Sequence, residues 1–431
     1  MKIAIIGAGI GGLAAAYDLV RAGNQVRVYE TGPSVGGLAG GFKEPNWEWS
    51  VEKYYHHWFA TDRHILGLIR ELGWEDRVLF PRPYTVIYHD GKFYPFDSIL
   101  KMALFPGLGW GVDKIRFGMV GLYLRLTNNW RPLENTTVDA WMRKWAGERV
   151  YGKMWQPLIV GKFGPHHKEV NMAWLWARLK SRTTRLGTFQ GGFQAFADAF
   201  AGRLQEMGVE IQLSTSVQRF SLDATGGVAV EIATGPQDYD QCLVTTSPAL
   251  LARLAPDLPQ DYLAGLLRLR SMGAVVMILA LKHQLSEEGF YWFNIPKAAG
   301  FPFLALVEHT NFVSPEYFGG DHIVYCGDYL DPEHEYFRLS QADLLERFLP
   351  VLPRFNPKFT PDWVRKTWLF RTAYAQPIQE LNHSRNIPAI RTPLPGLFFA
   401  SMSQVYPWDR GTNFAVEIGR RAARMMIGEN H

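Results

Sequence analysis

Residues 2–30 read KIAIIGAGIGGLAAAYDLVRAGNQVRVYE, and this stretch decides the fold. An apolar strand over 2–6 runs into Gly7-Ala8-Gly9-Ile10-Gly11-Gly12, which satisfies G-x-G-x-x-G. Residues 13–22 then read as a helix that stops at Gly23, and a second strand over 25–29 ends in Glu30. Each part has a mechanical reason. Gly7 permits the tight turn, Gly9 lets backbone approach a pyrophosphate, and Gly12 lets the helix pack close to the strand, with Gly11 in the same loop. The helix N-terminus offers free N–H groups and the positive end of its dipole to phosphates. Glu30 follows Gly12 by 18 residues, where a carboxylate accepts from a ribose 2′-hydroxyl and disfavours a 2′-phosphate. The spacing predicts an α/β fold with a Rossmann-type, dinucleotide-binding parallel sheet.

The fingerprint does not choose between FAD and NAD. The next segment, Gly32-Pro33-Ser34-Val35-Gly36-Gly37-Leu38-Ala39, does. With Glu30 it forms E-x-G-x-x-x-G-G-x-A, which resembles the flavin-containing amine oxidase superfamily. That group includes monoamine oxidases, protoporphyrinogen oxidase and phytoene desaturases, with UDP-galactopyranose mutase as a relative. The resemblance implies that Gly36, Gly37 and Leu38 lie against the FAD phosphates and ribityl chain. Residues 189–196 and 208–217 are similar to the family's G-G-x-x-x-L, helix, G-V-x-I, T-x-V block, which implies that the Val217 backbone meets the adenine. Residues 397–404 and 409–423 resemble the C-terminal flavin motif and assign Ser401, Met402, Gly411, Thr412, Asn413 and Ala415 to the cofactor. The family's strand commonly ends A-G-D or A-G-N; here it reads Ala400-Ser401-Met402. No Cys lies near this motif, so the FAD is expected to be non-covalent.

The cofactor domain is therefore expected over 1–80, 186–270 and 365–431, and an α+β substrate domain over 81–185 and 271–364. In the inserts, helices are predicted at 139–146, 173–180 and 340–349, and strands at 85–89, 93–95, 274–281 and 322–325. Of the 431 residues, 47% are hydrophobic and 20% charged, which excludes a disordered chain. Two Cys exclude a disulfide scaffold and a Cys-rich zinc site. A net charge of +4 does not argue for nucleic acid. No apolar run reaches membrane-spanning length, and a cytoplasmic protein is expected. The charge is nevertheless uneven. Residues 81–190 hold 17 basic and 7 acidic side chains, together with Trp110, Trp130, Trp141, Trp145, Trp155, Trp174 and Trp176. Such a segment suits an anionic membrane surface or an anionic substrate, or else a helical cap whose tryptophans fill its own core.

FAD carries the redox chemistry, so the protein's share is binding, orientation and electrostatics. Glu52-Lys53-Tyr54-Tyr55-His56-His57-Trp58-Phe59 follows the second glycine cluster. A His beside the ring could tune its charge or move a proton near neutral pH, which makes His56 and His57 catalytic candidates. Lys162, in Gly161-Lys162-Phe163-Gly164, could hold an anionic group. Residues 365–377 end in the family's A-x-P and offer Arg371 and Tyr374 to the substrate, with Lys366 as a remote candidate. No metal-ligand cluster and no nucleophile elbow is present in the sequence. The expected function is an FAD-dependent oxidase or desaturase that passes hydride from a large lipid-like or anionic small molecule to flavin N5. The alternative is a redox-neutral enzyme similar to UDP-galactopyranose mutase. A non-enzymatic flavoprotein is a third reading, and the oligomeric state is left open.

Overall fold

The computed structural model describes residues 1–109, 111–181, 183–222 and 226–428. Trp110 of the basic insert lies outside the described residues. A five-stranded parallel sheet runs in the order Glu210–Gln212, Gln25–Tyr29, Lys2–Ile6, Gln241–Val244, Leu397–Phe399. Successive side chains of a strand face opposite ways, and both faces of this sheet are buried. Ile3 and Ile5 point into a core shared with Leu13, Phe196 and Val416. Ala4 and Ile6 point into another with Phe220, Val230 and Leu251. Helices Ile10–Arg21, Gly192–Glu206 and Thr412–Met426 cover the first face. The antiparallel meander Val217–Leu222, Val228–Ile232, Gly235–Tyr239 covers the second, with helices Pro248–Leu254 and Gln260–Arg268.

A second, mixed sheet has seven strands: Val364–Pro377, Ser271–Leu281, His322–Leu330, Ala305–Glu308, Phe290–Asn294, Tyr84–His89 and Lys92–Pro95. Ser271–Leu281 lies between Val364–Pro377 and His322–Leu330 and is apolar after Ser271 because both its faces are covered. Val364–Pro377 pairs with it antiparallel. The boundary drawn at 365 therefore misplaces this strand, which belongs to the second sheet although its C-terminal end reaches the first unit. The sequence runs apolar-polar here in the same way for either sheet, and only the partner decides.

Helices Val112–Leu126, Val138–Ala146, Gln156–Phe163 and Met172–Ser181 build the basic insert around its own core. Trp174 and Trp176 are buried there, whereas Trp145 is 53% exposed. Helix Val112–Leu126 is an element that the sequence reading did not foresee. No helix among the described residues is long and apolar enough to cross a membrane.

Candidate functional site

The glycine loop after the first strand is shaped as its spacing requires. Gly7 has φ +107°, and a Cβ there would lie 2.7 Å from the Thr245 hydroxyl. A Cβ at Gly12 would overlap the Gly7 carbonyl oxygen, so the helix can only start here on glycine. At Gly9 the nearest atom to such a Cβ is the Gly37 Cα, 4.0 Å away, which leaves the loop open on that side. Gly36, at φ +107°, donates its N–H to the Ala8 carbonyl at 2.9 Å, and Gly37 follows at φ +56°. The two glycine clusters thus form one surface, with Leu38 beside it and 37% exposed. Glu30 sits at the strand end. Its carboxylate accepts from the Ala8 N–H at 2.9 Å and the Gly32 N–H at 2.8 Å.

Helix Thr412–Met426 completes the cradle. It packs on helix Ile10–Arg21 so closely that a Cβ at Gly419 would overlap the Gly11 carbonyl oxygen, and one at Gly11 would lie 3.2 Å from the Ala415 oxygen. Both helices begin after a glycine, and among the described residues neither first turn carries a side-chain cap or an acid. Two sets of unsatisfied N–H groups and two positive dipole ends are therefore brought together.

The other residues of the C-terminal motif are engaged by their side chains. Thr412 accepts from Trp58 Nε1 at 2.8 Å. Asn413 Oδ1 accepts from the His64 and Ile65 N–H groups at 2.8 and 3.2 Å, in the first turn of helix Arg63–Glu71. Their backbone N–H groups, at the start of the helix, remain for a ligand. Ser401, in the place of the family's glycine, is extended at φ −130° and needs no glycine. Its hydroxyl accepts from the Ser403 N–H at 3.3 Å and closes a short turn with Met402. Val217 opens the meander and is half-buried.

Where the two sheets meet, side chains from distant segments converge. The His56 ring lies 5.8 Å from the Phe193 ring, and its Nδ1 is 2.5 Å from the Tyr54 carbonyl. That acceptor places the proton on Nδ1 and leaves the Nε2 lone pair for a ligand. Burial, with the nearby Arg410 charge, lowers its pKa to about 4 against the pull of the Tyr54 carbonyl, so the ring is neutral at pH 7. This corrects the expectation of a proton shuttle near neutral pH. His57 packs edge-on against Phe59 and Trp292, at 5.2 and 6.1 Å.

Arg410 was not singled out from the sequence. Its guanidinium is bonded to the Ala375 carbonyl and the Tyr329 hydroxyl. Asp409, beside it, accepts from Arg178 at 2.7 Å and from the Arg410 N–H at 3.1 Å. Lys162 is 5% exposed, lies 4.4 Å over the Tyr329 ring and donates to Gln376 Oε1 at 3.2 Å. Tyr55 fills the floor against Trp292 and Tyr325, and burial raises its hydroxyl pKa well above the ordinary range. The signal for Arg410 was its place directly before Gly411 at a helix start; Tyr329, inside an ordinary strand, gave none.

Two catalytic candidates have other duties. The Tyr374 hydroxyl is 2.7 Å from Ser403 Oγ and accepts from the Ser403 N–H at 2.9 Å, so it holds the 401–404 turn in place. Arg371 points away from the seam. Its guanidinium donates to the Tyr336 carbonyl at 2.8 Å and to that of Leu339. It faces oppositely to Phe370, which packs on Phe42. Lys366 is paired with Glu44 at 2.6 Å, away from the histidines. The arrangement as a whole offers an anion cradle, a neutral imidazole acceptor and buried cations along one seam.

Known proteins share this architecture. The chain is 39% identical over 181 residues to a probable zeta-carotene desaturase of Synechococcus elongatus, a match that covers 37% of each protein. Cyclohexylamine oxidase from Brevibacterium oxydans superposes with a TM-score of 0.75 at 16% identity, over 99% of both chains. Reduced UDP-galactopyranose mutase superposes with a TM-score of 0.76 at 16% identity, over 100% of this chain and 96% of that one. At these identities the likeness of the solved structures is one of fold. The profile of flavin containing amine oxidoreductases matches residues 10–427, from the last residues of the glycine loop through the histidine segment to the closing helix, and the chain belongs to that family.

Proposed function

We propose that this oxidoreductase holds FAD without a covalent bond in the two-helix cradle and oxidises a large lipophilic substrate at the seam between the sheets. The observation that carries the reading is the packing of two uncapped N-terminal turns, where a Cβ on Gly11 would lie 3.2 Å from the Ala415 oxygen in the first turn of Thr412–Met426, beside a loop open at Gly9. Phosphates are held there by N–H groups of residues 10–12 and 412–413. Glu30 retains lone pairs beyond its two backbone contacts and takes the ribose hydroxyls. Gly36, Gly37 and Leu38 line the path between phosphates and ring, Val217 meets the adenine, and the Ser401-Met402 backbone lies at the ring. Both thiols, Cys242 and Cys326, are buried with pKa values pushed up by burial, which supports non-covalent binding.

Bound flavin supplies the hydride acceptor. The protein's own groups bind, orient and exclude water. Aromatic Tyr55, Trp292 and Phe193 wall the seam against solvent. Arg410 and Lys162 would supply positive charge to an anionic group held at the seam. His56 offers its Nε2 lone pair as a fixed acceptor, and Tyr374 keeps the 401–404 turn in register. The desaturase relative and the apolar walls support a lipophilic substrate. A second reading, redox-neutral chemistry on a nucleotide sugar, draws on the same buried cations, Lys162 and Arg410, as a phosphate site.

The test is a visible spectrum of the purified protein, followed by anaerobic reduction and readmission of air. A flavin band near 450 nm is expected, released by denaturation as free FAD. Gly9→Val should emerge colourless, since a side chain there fills the pyrophosphate's place. Retained stoichiometric FAD in that variant would overturn the cradle. Reoxidation within seconds favours an oxidase. A form that stays reduced and turns over a carotene with an added quinone favours a desaturase. Turnover of UDP-galactopyranose with no net redox change favours the second reading.

A further inference from the structure

Helix Val112–Leu126 is apolar on two opposite sides. Val120 and Leu124 face the core of the insert. On the other side Val112, Ile115, Met119, Leu122 and Leu126 are 59–67% exposed. At 3.6 residues per turn these five occupy about 80° of arc, where a surface helix ordinarily carries polar groups. Leu100 and Leu104 of the adjoining helix Ile99–Leu104 are 69% and 67% exposed. A shallow hollow of about 470 Å³ lies along Met119, Leu122, Tyr123 and Leu126. Between Ser98 and Arg131 the only acid is Asp113, which faces Arg149 at 3.6 Å, while Lys101, Lys114, Arg116 and Arg125 are basic. Tyr123, Trp141 and Trp145 form an aromatic edge with Lys144 over the Trp145 ring.

We infer that this face of helix Val112–Leu126 lies in the surface of an anionic bilayer, its aliphatic row among the acyl chains and its basic flanks on the headgroups. Such a pattern of apolar stripe, basic edge and amphipathic rings suits the membrane interface. The charge argues against a second copy of the chain as the occupant, because a two-fold contact would set the same basic edge against itself. The placement also has a use. On the buried side of the helix Phe117 stacks on Trp155 at 6.0 Å, and the following helix, Gln156–Phe163, carries Lys162 into the candidate site. The lipid face and the seam are therefore one helix layer apart, which on the reading of a lipophilic substrate gives it a short path from the bilayer. The docking itself does not rest on that reading.

Flotation of the flavin-loaded protein with vesicles tests this without turnover. Phosphatidylcholine alone is compared with phosphatidylcholine and phosphatidylglycerol at about three to one. The protein should float with the mixed vesicles and far less with the neutral ones. Ile115→Ser/Met119→Ser/Leu122→Ser should lower partitioning by at least about tenfold, with flavin content and thermal midpoint unchanged. Arg116→Glu/Lys144→Glu should lose the preference for the anionic vesicles. The inference is overturned if the native protein floats with neither vesicle, if the triple serine variant floats as well as the native one, or if the native protein is a dimer that this variant dissolves. Those failures would leave the flavin spectrum, and hence the oxidoreductase reading, untouched.

Discussion

His56 shows how far a side chain's surroundings can move its role. The sequence placed a histidine pair beside the second glycine cluster, and the ordinary imidazole range made a proton shuttle the natural expectation. In the fold, burial and Arg410 hold His56 at about 4, so it keeps one tautomer across the neutral range. Replacing both residues, His56→Ala with His57→Ala, should leave FAD bound and lower turnover more than about tenfold. Full activity in the double variant, by steady-state assay, would take the histidines out of the mechanism. Side-chain destinations were the least legible part of the site. Arg371 and Tyr374 were read from a strand whose partners were not known, and their hydrogen bonds go to Tyr336, Leu339 and Ser403. The glycine roles at Gly7, Gly9 and Gly12 were legible because backbone contacts within a few residues define them.

Among the elements, the crossing of helices Ile10–Arg21 and Thr412–Met426 decides the cradle. Both helix starts are legible in the sequence, but Gly419 is not, because a glycine inside a helix looks like a weak point worth about 1 kcal/mol. Its purpose appears only when the Gly11 carbonyl is set against it. Gly419→Ala should therefore destabilise the fold by about 1–3 kcal/mol and weaken flavin retention, despite alanine's better helix propensity. Gly118→Ala in helix Val112–Leu126, where nothing lies within 4 Å of the new Cβ, should instead stabilise by up to about 1 kcal/mol. Denaturant midpoints and bound flavin measured on both variants separate packing from propensity. If Gly419→Ala proved neutral, close approach would not be what holds the helices. The exposed helix itself escaped sequence reading because two apolar sides blur the single stripe that marks a surface helix.

Across the whole molecule, buried titrating groups oppose one another. Burial raises Glu52 and Glu308 to about 7 and Asp62 and Asp328 to about 6. A carboxyl raised in this way adds stability that is complete below its ordinary range near 4 and lost as pH rises through the folded value. His56, His309 and His383 are lowered by burial to about 4, so their contribution is complete above about 6.5 and lost as pH falls through 4. Between about 4.5 and 6.5 the two sets offset, and the carboxyls alone continue to act up to 7. Glu52, 1% exposed, accepts from the Phe193 N–H at 2.9 Å through Oε1. Glu52→Gln keeps that bond and removes the titration. Relative to the native protein it should gain stability, on the order of 3 kcal/mol, between pH 5 and pH 8. Equal pH dependence of the two unfolding curves would mean that Glu52 ionises normally in the fold.

The helix that closes the cradle also sets a timetable for synthesis. Gly11 and Gly419 touch across about 400 residues of chain, the kind of long-range contact that forms late. At about 5–20 residues per second a ribosome makes the glycine loop tens of seconds before the helix that must cover it. During that interval the first strand and helix present an apolar face that lacks its later partner, and half of the proposed phosphate site. On the proposed cradle, flavin capture is accordingly a late event in the life of each molecule, and a nascent chain stalled before residue 412 would emerge without its cofactor and dependent on a chaperone.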